Sequence, residues 1–351
     1  FASGTTTKGP SGSVSIGTGT STQGSSGAIA ITVGANNVNT GGAVTITAGE
    51  STHAAAHRGG DVTVTAGQGR GSTNGGGRLD LAGGVGIDHT GGTITVRSGS
   101  GTATSSGSII IRAVDAGANG ISGSLVFSSG TSKKGGSGSV SIGSGASTKG
   151  KGGSIAITVG AGDANTGGAV TITAGESTHA AAHRGGDVTV TAGQGRGSTN
   201  GGGRLDLAGG VGIDHTGGTI TVRSGSGTAT SSGSIIIRAV DAGANGISGS
   251  LVFSSGTSKK GGSGSVSIGS GASTKGKGGS IAITVGAGDA NTGGAVTITA
   301  GESTHAAAHR GGAVTITAGQ GRATTQGGGM LDLAGGVGTT DTGGTITMRS
   351  G

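Results

Sequence analysis

The densest chemistry in this 351-residue chain lies in one stretch that occurs three times: GESTHAAAHRG, at 49–59, 175–185 and 301–311. Each copy places two histidines four residues apart: His53 and His57, His179 and His183, His305 and His309. In a helical turn such a pair shares one face, and with Glu50 nearby it offers nitrogen and oxygen donors to a metal such as zinc. The residues between the histidines are alanines, so the HExxH pattern of zinc hydrolases is absent. The competing reading is an outward bulge with solvated histidines. From the sequence alone, no metal and no other cofactor is assigned.

Three further patterns could carry chemistry. GGVGIDHTG at 83–91 has the outline of a calcium-binding nonapeptide. Such sites need tandem copies, whereas here Thr90 occupies the large apolar place and the third copy reads Thr339-Thr340-Asp341. Thr45 and Thr47, Thr63 and Thr65, Thr297 and Thr299, and Thr315 and Thr317 form T-x-T pairs on successive units. On a flat sheet they would offer a water-ordering, ice-binding face, but threonine also simply suits exposed strand positions. Arg97 and Arg112, like Arg223 and Arg238, hold equivalent outward places on adjacent units. They could clamp the carboxylate or sulfate of an acidic polysaccharide, with Asp80 as the alternative compensating charge. DAGAN at 115–119 reads as an Asx turn.

No nucleophile–base–orienter set is identifiable, and every candidate group recurs in near-identical copies, so the chain does not read as an enzyme. Cysteine is absent, which excludes disulfides and thiolate metal sites. The net charge of +7 is spread along the chain, Tyr and Trp are missing, and the three Phe share one repeat position. A nucleic-acid binder would concentrate basic and stacking residues, so that class is set aside. No apolar run reaches the roughly 18 residues of a membrane helix.

The units carrying these residues open with glycine and then alternate exposed and apolar places, as in GAVTITAG (42–49), GDVTVTAG (60–67) and GTITVRSG (92–99). The opening glycines are Gly12, Gly27, Gly42, Gly60, Gly77, Gly92, Gly107 and Gly123, and the series restarts at Gly138 after 126 residues. The text from Gly42 to Gly138 recurs letter for letter from Gly168 to Gly264. Blocks therefore run 4–129, 130–255 and 256–351, the last one truncated, within one continuous array over 1–351. Ninety glycines and one proline suggest disorder by composition, but fixed offsets of β-branched residues argue for order. Collagen is excluded, because glycine does not fall at every third place.

Period-two alternation at this spacing predicts an all-β fold: a slim, two-sided parallel β-solenoid (a β-helix) of 22 rungs, each about 15 residues. Val44, Val62 and Ile94 would form one buried column, and Ile46, Val64 and Val96 the other. Small-residue stretches such as 99–104 would form the opposite wall, and glycine pairs such as Gly59-Gly60 would supply positive-φ turns. Asp61 and Arg78, paired again as Asp187 and Arg204 and replaced together by Ala313 and Met330, would be stacked neighbours.

With its GGxVTITAG-like rungs, the chain resembles extracellular β-solenoid repeat proteins of the adhesin and fibre-forming type. The resemblance implies a secreted or surface-displayed structural rod that associates with itself end to end or laterally. An ice-binding or acidic-glycan-binding adhesin region is the alternative. Both ends of the chain fall in mid-repeat, so rungs are expected to continue beyond them.

Overall fold

The computed structural model describes every residue except 39, 53–56, 71–74, 164–165, 180–182, 197–200, 290–291, 305–308, 323–326, 340–341 and 350–351. The chain divides into two units, Phe1–Thr171 and Ile172–Gly351. Both are built from the same local device, a short loop whose two ends are tied by one glycine-to-glycine backbone hydrogen bond.

In the first unit the Gly60 amide donates to the Gly49 carbonyl at 2.8 Å, Gly77 to Gly67 at 2.8 Å, Gly92 to Gly84 at 2.8 Å and Gly107 to Gly99 at 2.9 Å. The donor is in each case the opening glycine of the next apolar segment. Hydroxyls add a second tie at other loops: Thr18 Oγ1 donates to the Gly27 carbonyl at 3.1 Å, and Ser144 Oγ to that of Gly153 at 3.0 Å. Loop tips use an S-x-x-G motif in which the serine hydroxyl accepts from the glycine amide. Ser21 does so for Gly24 at 3.0 Å and Ser147 for Gly150 at 2.9 Å. This serine-centred turn needs no distant partner.

The second unit repeats the pattern. Gly186 donates to Gly175, Gly203 to Gly193, Gly218 to Gly210, Gly312 to Gly301 and Gly344 to Gly336, all at 2.8 Å. Ser258 and Ser273 accept from Gly261 and Gly276 at 3.0 and 2.8 Å.

Space, more than backbone torsion, makes glycine necessary here. A Cβ on Gly101 would fall 2.5 Å from the Ser105 carbonyl oxygen, and one on Gly42 would fall 2.6 Å from Val33 Cγ1. The expected positive-φ role of the glycine pairs is not what the structure uses. Among the described residues positive φ occurs at Gly9 (97°), Asp88 (62°) and Asp214 (64°).

The all-β, two-sided β-solenoid predicted from the periodicity is not the fold. Among the described residues there is no helix and no strand, and apart from the glycine-to-glycine ties no backbone hydrogen bond joins one apolar segment to another. The predicted columns are not buried. Val44, Val62 and Ile94 are 54, 55 and 53% exposed, and Ile46, Val64 and Val96 are 71, 66 and 62% exposed. No described residue is buried in either unit.

The physical reason lies in how each repeat spends its length. The ties close loops between residues eight to eleven apart, and short closures cost less chain entropy than pairings across longer separations. The small-residue stretches predicted to form the second wall are consumed in these loops, 99–107 among them. With no second wall, the described aliphatic pairs stand exposed. The residue nearer the opening glycine is still the better screened of each pair, because it lies next to the neck of the preceding loop.

Candidate functional site

Loop 175–186 is the place where the structure brings predicted site residues together. Its ends are pinned by the 2.8 Å hydrogen bond from Gly186 to Gly175. Within it the rings of His179 and His183 meet edge to face, with centroids 4.9 Å apart and planes inclined at 78°. Both residues are exposed. The guanidinium of Arg184, next in the chain, is paired with Asp187 at 2.5 Å. In the first block the corresponding pair is Arg58 with Asp61 at 2.7 Å. His53 and His305 lie outside the described residues, while His57 and His309 are described and exposed. No group of three or more His, Asp or Glu side chains gathers as a metal shell among the described residues.

The threonines lie outside any strand among the described residues. Thr45, Thr47, Thr63, Thr65, Thr297, Thr299, Thr315 and Thr317 are all exposed. No strand pairing holds their segments at sheet spacing, so the ordered lattice that an ice-binding face requires has no scaffold among the described residues. Arg97, Arg112, Arg223 and Arg238 are likewise exposed on separate segments. Asp80 does not compensate them, because its carboxylate pairs with Arg78, two residues away. Asp206 does the same for Arg204 at 2.5 Å. The expected contact between Asp61 and Arg78 is thus replaced by two separate local pairs, each with its own partner.

The nonapeptide-like stretch is a loop of the general kind, closed by Gly92 donating to Gly84. Asp88 near its tip adopts the left-handed conformation, which short polar side chains tolerate better than most. DAGAN forms a backbone turn, with Gly120 donating to the Gly117 carbonyl at 3.0 Å. No cavity is enclosed by the described residues, and they form no helix long and apolar enough to cross a membrane.

Sequence reasoning missed the Arg58–Asp61 and Arg184–Asp187 pairs and the serine-capped tips. The signals were present in R-G-G-D and in the recurrent S-x-x-G, both short enough for local closure. Comparison with known proteins finds no matching family, no matching curated protein and no matching solved structure.

Proposed function

We propose that this chain is a structural, self-associating repeat segment of an extracellular or cell-surface filament or adhesin stalk, without a catalytic role. One observation carries the reading: every aliphatic pair stands about half or more exposed, at the same offset in every repeat. Apolar surface this regular is costly in water, and in soluble proteins it marks an interaction surface. The eight pairs of one block expose on the order of 1,000 Å² of apolar area, above the roughly 800 Å² that each partner contributes to a standard interface.

A second copy of the same chain is the partner that fits. The 126-residue period means that two copies match unit for unit, in register or displaced by a whole block. The +7 charge over 351 residues is low enough for copies to approach each other at physiological salt. Near-identity between blocks suits a role in which length is the property that matters, since adding copies extends the same surface. The S-x-x-G tips and closed necks leave the polar loops satisfied and facing water.

Sedimentation velocity across a wide concentration range, with electron microscopy of the same samples, tests this. The expected result is concentration-dependent growth into unbranched filaments. A single species of 31.9 kDa at every concentration would show that the reading is wrong.

A further inference from the structure

By position, the charge of this chain is concentrated in two places. Residues 116–162 hold Lys133, Lys134, Lys149 and Lys151 and no acidic residue. Their letter-for-letter copy, 242–288, holds Lys259, Lys260, Lys275 and Lys277 and again no acidic residue. Outside these stretches fourteen cationic residues face fifteen acidic ones, so the +7 of the chain comes from the two stretches. One stretch falls in each of the two units.

The lysines sit on closed turns. Ser132 Oγ accepts from the Gly135 amide at 3.0 Å, which sets Lys133 and Lys134 side by side at a tip. Ser147 Oγ accepts from Gly150 at 2.9 Å, and the loop carrying Lys149 and Lys151 is tied at its neck by Gly153 donating to Gly145 at 3.3 Å. In the second unit Ser258 and Ser273 close the equivalent turns, and Gly279 donates to Gly271 at 3.2 Å. All eight lysines are exposed. The ion pairs among the described residues engage arginines and no lysine.

The turn itself does not require lysine. In block one the Ser21 tip closes on Gly24 with the same bond at 3.0 Å, yet Gln23 and Ser25 stand where Lys149 and Lys151 follow, and Thr7 stands for Lys133. Adjacent like charges raise the local potential and draw groups of opposite sign. Lysine, a hydrated point charge on a flexible stem, suits many anionic groups strung along a polymer. Such a polymer engages successive tips without requiring them to converge. Hydroxyls of Ser132, Ser147 and Thr148 beside the lysines suit a sugar chain. The tips carry no aromatic residue to stack a base and no apolar one to enter a bilayer.

We infer that each lysine stretch is a binding surface for an acidic polysaccharide. Its sulfate or carboxylate groups are held by Lys133, Lys134, Lys149 and Lys151 in the first unit, and by Lys259, Lys260, Lys275 and Lys277 in the second.

Binding of the dilute full-length chain to immobilised dextran sulfate, alginate and neutral dextran tests the assignment, the first two separating sulfate from carboxylate. Saturable binding to at least one acidic polymer is expected, with none to dextran and loss near 1 M salt, where the screening length is about 3 Å. A variant with K133T, K149Q, K151S, K259T, K275Q and K277S gives both stretches the block-one residues and should bind about tenfold more weakly or worse. A variant with R70Q, R78Q, R196Q, R204Q, R310Q and R322Q has the same net charge and should bind within about twofold of the parent. The inference is overturned by absence of saturable binding to both acidic polymers, or by equal behaviour of the two variants. Tighter binding to duplex DNA or to phosphatidylserine vesicles at the same salt also overturns it. Immobilised polymer and dilute chain make the readout independent of filament formation.

Discussion

The loop 99–107 and the segment 92–99 leading into it meet water on opposite terms. The loop closes its ends with a 2.9 Å hydrogen bond and brings Gly101 so close to Ser105 that no side chain fits between them. The segment carries Ile94 and Val96, both more than half exposed, and between its terminal glycines it has no backbone hydrogen bond to any other described segment. Order among the described residues is therefore local and polar, while their apolar groups stand exposed. Local ties survive because they need only a few residues, whereas burial needs a second surface that the repeat does not provide.

Charging the aliphatic places should separate the two regions most sharply. Lysine at Ile46, Ile172 and Ile298, one in each block, is expected to abolish sedimentation of large species. Lysine at the loop residues Thr102 and Thr228 should leave it unchanged. Equal effects at the two kinds of position would erase the distinction.

The necks offer the next largest effect. Gly101→Ala forces a Cβ against the Ser105 carbonyl and should open loop 99–107. Hydrogen exchange at the Gly107 amide would then rise about fivefold, in line with the roughly 1 kcal/mol net worth of one such bond. Gly117→Ala, where the added Cβ meets nothing within 4 Å, should leave exchange at Gly107 unaltered.

A smaller change is expected at the tips. Ser21→Ala removes the acceptor of the Gly24 amide and should speed exchange there by a few-fold, consistent with about 0.5–1 kcal/mol. Protection retained at Gly24 in that variant would mean that backbone geometry alone sets the turn.

The ion pairs should matter least. Arg58 and Asp61 are 84 and 64% exposed, so Arg58→Ala is expected to alter exchange at the Gly60 neck by less than about 0.5 kcal/mol.

Much of this organisation could be read directly from the residues. The opening glycines Gly60, Gly77, Gly92 and Gly107, found by counting, are the donors that close the necks. Their spacing is a property of the text, and a neck closed over eight to eleven residues needs nothing from elsewhere in the chain. The close approach of His179 and His183 was likewise foreseeable from a four-residue separation, although the edge-to-face geometry was not. Alternation at Val44 and Ile46 predicted a face shared by the apolar side chains. It could not show what that face meets, because the same period-two pattern serves a buried ladder and an uncovered segment alike. That outcome depends on whether the small-residue stretches pair as a second wall or fold back on themselves, a competition between distant pairing and nearby closure. In this chain the nearby closure prevails: composition and spacing determined the loops and their glycine ties, and only the tertiary structure decided that the aliphatic pairs between them would remain open.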